Sequence, residues 1–144
     1  MSPAKLAIVL VHGAWLTPDT WKPIIAPLES FGYQVYCPKL PSTGGDPAVP
    51  DMSQDITTIR NTVLGLLEKD MNVLVVLHSY AGLPGGNALE GLDVASRRKA
   101  GKESHVVRLV YISGYLVVEG TQLNPKGTRA NMVPAMVTDF EVRL

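Results

Sequence analysis

Four short apolar runs, each set apart from the next by a helix-length stretch, constrain this chain most. They are Leu6–Val11, Tyr33–Cys37, Asn72–Leu77 and Val106–Ile112. Leu6–Val11 and Val73–Val76 are unbroken apolar runs, the mark of a strand buried on both faces. Parallel strands need crossovers of a dozen or more residues, usually helical. The intervening segments carry helix signals. Pro18–Ser30 has Thr17 or Thr20 to cap it, Pro18 for its first turn, and Trp21, Ile24, Ile25 and Leu28 at helical spacing, with Gly32 to end it. Pro23 and Pro27 make it irregular. Asp51 or Ser53 caps a second helix reaching about Glu68, striped by Ile56, Ile59, Val63, Leu66 and Leu67. Gly82–Leu92 reads as a third, weakened by Pro84, Gly85 and Gly86 but small enough to pack closely on a sheet. The predicted fold class is α/β, a mostly parallel open sheet with flanking helices.

Composition narrows the function. At 144 residues the chain has the size of one domain, and 46% hydrophobic against 18% charged residues suits a compact protein. Its 13 basic and 13 acidic residues cancel, so neither nucleic acid nor an anionic membrane is an expected partner. Zero net charge leaves self-association open. Leu6–Val11 is too short to span a bilayer and lacks a signal-peptide cleavage pattern. The single cysteine, Cys37, makes an intrachain disulfide impossible, which favours a reducing, cytoplasmic location. Cys37 itself reads as a buried small hydrophobe, and without a CxxC or Cys/His cluster no metal is expected. The basic run from Ser96 to Lys102 reads as a solvated helix end and loop.

The chemistry gathers at two strand ends. In an open parallel sheet, ligands bind beyond the carboxyl ends of the strands. Ser79 follows the third strand and precedes Tyr80-Ala81-Gly82, the context of a nucleophile on a strand-to-helix elbow. Its oxyanion would be held by the N–H of Tyr80 and by an N–H from the loop after the first strand, where Ala14 is the candidate donor. Gly13 and Trp15 of that loop are the candidate pocket residues. The three histidines serve other ends: His12 shapes the loop, His78 packs beside the serine, and His105 begins the fourth strand far from the elbow. Glu119 and Asp139 read as structural or solvated. No visible base or acid completes a triad with Ser79.

Val9-Leu10-Val11-His12-Gly13-Ala14-Trp15, Pro41-Ser42-Thr43-Gly44-Gly45-Asp46, His78-Ser79-Tyr80-Ala81-Gly82 and Leu109-Val110-Tyr111-Ile112-Ser113 together resemble the α/β-hydrolase superfamily. The resemblance is to its small esterase and hydroxynitrile-lyase-like members, and runs from Leu6 to about Gly120. It implies a partial fold, with these strands as the third to sixth of eight. It places the family's acid and histidine after the seventh and eighth strands, beyond this chain. Residues 1–120 would be the partial core and 121–144 the start of a lid. The implied function is a serine hydrolase of small carboxylic esters, lactones or similar acyl substrates, with no cofactor. A catalytically inactive binding module and a C–C lyase are the alternatives. One departure stands out: the elbow pattern is small-x-Ser-x-small, and Leu77 fills the first small position. Its bulk should crowd the turn, with Gly82 placed to relieve it. If the sheet stops at Val106–Ile112, that strand is an open edge, expected to recruit a second copy or a complementing fragment unless Tyr115–Leu144 folds over it.

Overall fold

The computed structural model describes residues 5–118 and 120. The expected lid over 121–144 lies outside the described residues. Among the described residues, four parallel strands form one sheet in the order β2-β1-β3-β4: β1 Leu6–Val11, β2 Gln34–Tyr36, β3 Asn72–His78 and β4 Val106–Ile112. The second strand is shorter than its apolar run suggests. The helices that accompany the sheet are α1 Lys22–Ser30, α2 Ser53–Leu67, α3 Gly82–Ala88 and α4 Val94–Lys99. A short 3-10 turn, Pro18–Trp21, leads into α1, which accommodates the prolines at its start.

Alternation along the two central strands builds two cores. Ala7, Val9, Val11, Val73, Val75 and Leu77 face Ile59, Val63, Leu66 and Leu67 of α2 and Ala88 of α3. Ile8, Leu10 and Val76 face the other way, onto Trp21, with Ile25 and Leu28 of α1 packed against them. Burial on both faces explains why these strands read as unbroken apolar runs. Cys37 differs from expectation in being only half-buried, beside the Trp21 cluster, and burial together with nearby Glu29 raises its thiol pKa.

The basic run is more ordered than its composition suggests. Asp93 Oδ1 accepts from the N–H groups of Ala95 and Ser96 at 2.9 and 3.0 Å, capping α4. Arg97, Arg98 and Lys99 occupy the last turn, where the helix dipole favours cations. Arg97 is not simply solvated: its Nε donates to Ser104 O at 2.8 Å, and Ser104 Oγ donates to Leu67 O at 2.6 Å. That chain ties α4 to the end of α2 and positions the entry to β4. His105 is half-buried rather than exposed, its Nδ1 lying 2.8 Å from Glu103 O.

The strand order places the site. The chain leaves β1 for α1 on one face of the sheet and leaves β3 for α3 on the other. Adjacent strands whose following helices diverge to opposite faces open a crevice at their carboxyl ends. Here that crevice lies between β1 and β3.

Candidate active site

Ser79 enters this crevice in a left-handed conformation, with φ +51°. A non-glycine residue there costs roughly 1–2 kcal/mol, so the fold around it must hold it in place. It does so on three sides. Ser79 begins a short 3-10 turn, Ser79–Ala81, that runs directly into α3. Tyr115 N–H donates to Ser79 O at 3.1 Å, pinning the elbow to the segment after β4. Gly82 lies so close to the Tyr115 backbone that a Cβ there would collide with it. The need for glycine at position 82 thus comes from the close approach of the segment after β4.

Leu77 does not crowd the turn. Its side chain is fully buried and points away, against α3. The residue that makes room is Gly85, where an added Cβ would strike the Leu77 methyls, 2.8 Å from Cδ1. Gly82, the residue expected to relieve Leu77, instead faces Tyr115.

The loop after β1 comes up against the elbow. A Cβ on Gly13 would sit 3.1 Å from Ser79 Cβ and 3.0 Å from His78 Nδ1, so only glycine fits without displacing one of them. Leu16 N–H donates to Gly13 O at 3.3 Å, closing a β-turn whose third residue, Trp15, is left-handed at φ +59°. A bulky residue in that conformation is a strained feature. Trp15 is 75% exposed and so projects from the rim of the crevice rather than packing in the core. Ser113, immediately after β4, is a third left-handed residue at a strand end, with φ +45°. Trp15, Ser79 and Ser113 thus place backbone strain at the carboxyl ends of three neighbouring strands.

His12 is fully buried and saturated. Its Nε2 accepts from Leu40 N–H at 3.1 Å, so the proton resides on Nδ1, which donates to Gly13 O at 2.9 Å. A neutral imidazole with both nitrogens engaged has no lone pair to offer Ser79. Its effect is on the loop. Fixing the Gly13 carbonyl also fixes the planar peptide that follows, and turns the Ala14 N–H to the opposite side. His78, beside the serine, packs edge-on against Trp21 with ring centroids 6.2 Å apart. His78 Nδ1 and Trp21 Nε1 are buried without partners among the described residues.

One residue of the site is absent from the sequence-based candidates. Asp55, in the first turn of α2, is fully buried. Its Oδ2 accepts from the Tyr80 hydroxyl at 2.7 Å and its Oδ1 from Ser42 N–H at 3.0 Å. Among the described residues no cation lies within ion-pair distance of it. Burial, then the hydrogen bond and charge of Asp55, push the Tyr80 phenol up to about 12, against a smaller opposing pull from Ser42. The signal for Asp55 was present: with Ile59 and Val63 it follows the four-residue spacing of the buried stripe. Among the described residues no three of His, Cys, Asp and Glu come together in a metal-binding arrangement.

Of the five candidate site residues, the fold thus brings Gly13 against Ser79, with Ala14 next in the loop and Tyr80 next in the elbow. Trp15 stands at the rim. A parallel sheet whose central strand runs into a left-handed serine and then a helix, beside a glycine-bearing loop, defines an α/β fold of the hydrolase type. The alpha/beta hydrolase family model matches residues 8–143, and the chain belongs to that family. It is 32% identical over 119 residues to the alpha/beta hydrolase nvfD of Aspergillus novofumigatus, and 30% identical over 122 residues to the probable hydrolase R7 of a Phoma species. Each match takes in 83% of this chain and 47% of the relative, so the chain spans about half the length of the curated relatives it matches. Solved folds are similar too. Tomato methylketone synthase I, complexed with 2-tridecanone, superposes with a TM-score of 0.59 at 22% identity, over 78% of this chain and 41% of that one. A pyrethroid hydrolase from Sphingobium faniae gives 0.56 at 24% identity, over 81% and 43%. The four strands are accordingly a partial α/β-hydrolase fold. Among the described residues no helix is long and apolar enough to cross a membrane.

Proposed function

We propose that this chain is the nucleophile-bearing part of a serine hydrolase for small carboxylic esters, lactones or similar acyl substrates. The observation that carries the reading is the left-handed Ser79 at the end of a central strand, with Gly13 in contact with it. In this role Ser79 Oγ attacks the acyl carbon while the Ala14 and Tyr80 N–H groups receive the developing oxyanion. Trp15, strained and exposed at the rim, contributes to the pocket wall. The base is assigned to a histidine outside this chain, with an acid to orient it. His12 has both nitrogens engaged, His78 packs on Trp21, and His105 precedes β4 at the opposite end of the sheet from the elbow. A complementing fragment or a second copy would pair along β4, where Val107, Leu109 and Ile112 are exposed. A cytoplasmic setting fits a chain with one cysteine.

Free imidazole can stand in for the missing base. With imidazole present, the chain should release p-nitrophenolate from p-nitrophenyl acetate faster than Ser79→Ala does under the same conditions. Equal rates for the two proteins would overturn the proposal. The same placement of the histidines favours a second reading, a binding module without turnover. It requires ligand binding that survives Ser79→Ala, and no Ser79-dependent hydrolysis.

A further inference from the structure

The buried Asp55 needs a reason to be there. A carboxylate removed from water without a cation is costly, and well-packed apolar residues often replace such groups without loss of stability. Asp55 is fully buried one turn before Ile59, on the same face of α2 as the buried Ile59 and Val63. What the carboxylate gains is two hydrogen bonds, to Tyr80 Oη and Ser42 N.

Those bonds meet a second pair of contacts. His12 takes Leu40 N–H on one nitrogen and holds Gly13 O with the other. Leu40 and Ser42 are two residues apart on one short segment. A continuous path therefore runs from the Gly13–Ala14 peptide through His12, Leu40–Ser42 and Asp55 to Tyr80. Its two ends are the peptide that carries the Ala14 N–H and the side-chain hydroxyl of Tyr80, the residue whose N–H is the other candidate oxyanion donor.

We infer that Asp55 is a positioning residue which, with His12, sets the spacing of the Ala14 and Tyr80 N–H groups through the Leu40–Ser42 segment. This deepens the Ser79 proposal and, for its effect on turnover, rests on it. Oxyanion donors act only where the developing charge will sit, and a misplacement of about 1 Å can cost roughly 100-fold in rate. Holding both donors from one strut meets that tolerance better than holding each loop alone.

The test compares wild type with Tyr80→Phe and with the double variant Asp55→Val/Tyr80→Phe. The double variant replaces both partners of the Asp55–Tyr80 bond by apolar groups of similar shape, which strands no charge, and it also frees the Ser42 N–H from Asp55. Two readouts are taken: the amide resonances of Ala14 and Tyr80 in the 15N-labelled chain, and imidazole-supported ester turnover resolved into kcat and KM. The position-80 amide shifts with its own substitution, so Ala14 is the informative resonance: it should shift in both variants and further in the double one, and Ser79-dependent kcat should fall about tenfold or more with KM within about twofold. A shift confined to Tyr80, with Ala14 unmoved, would show local packing only and overturn the inference, as would an unchanged kcat. If wild type shows no Ser79-dependent turnover, the nucleophile reading fails, and the Ala14 resonance alone decides the positioning role.

Discussion

Gly85→Ala tests how the fold admits a leucine where the elbow pattern calls for a small residue. The new methyl would meet the Leu77 side chain, closer than van der Waals contact allows, and Leu77 is fully buried. Overpacking of this kind costs about 1–3 kcal/mol. Gly85 sits inside α3, so alanine also returns about 1 kcal/mol of helix propensity. The net expectation is a loss of about 0–2 kcal/mol, whereas the same change at an exposed helical position would stabilise. Leu77→Ala alone should cost about 2–5 kcal/mol through the cavity it leaves. In the double variant the methyl added at position 85 enters that cavity, and the total should fall short of the sum by about 1–3 kcal/mol. Urea unfolding followed by circular dichroism gives all four stabilities, provided the slopes agree. Additivity within about 0.3 kcal/mol, or a Gly85→Ala protein stabilised by its full propensity gain, would refute the packing argument.

Other outcomes follow from the same geometry. Ser79→Gly should be more stable than Ser79→Ala by about 1 kcal/mol, because only glycine adopts φ +51° without strain, and thermal unfolding of the pair reads it directly. The Tyr80 phenol gives the protein an alkaline sensitivity. Its pKa is raised from 10.0 to about 12, so the stability it confers is fully present below pH 10 and is lost as pH rises through about 12. At full strength that is about 2.7 kcal/mol, reduced to about 1 kcal/mol by solvent around a half-buried ring. The stability gap between wild type and Tyr80→Phe should therefore narrow between pH 8 and pH 11.5, and a constant gap would contradict it. Among the described residues β4 is a sheet edge, and if that edge recruits a second copy as proposed, sedimentation should show concentration-dependent dimers that Leu109→Lys suppresses, whereas a monodisperse monomer would count against it.

The sheet was legible because burial on both faces leaves an unambiguous trace. Leu6–Val11 and Asn72–Leu77 carry no polar residue between Leu6 and Val11 or between Val73 and Leu77, and these are the two central strands. Convergence of His12-Gly13 with Ser79 was also legible, since parallel strands put their carboxyl ends together. Three features were not. Asp55 hides because an acid in the first turn of a helix is ordinary, and only its spacing from Ile59 and Val63 marks it as buried. The partner of Leu77 is set by where α3 crosses β3, which assigns the task to Gly85 rather than to the nearer Gly82. Arg97 belongs by composition to a solvated cluster, yet the turn after α4 brings it onto Ser104.

The proposed nucleophile role of Ser79 can be tested without its base. The most direct measurement treats the chain with a fluorophosphonate probe in the presence of free imidazole and maps adducts by peptide mass spectrometry. A single adduct on the peptide containing Ser79, absent from Ser79→Ala, is the expected result. No adduct at Ser79, or equal labelling of wild type and Ser79→Ala, would contradict it.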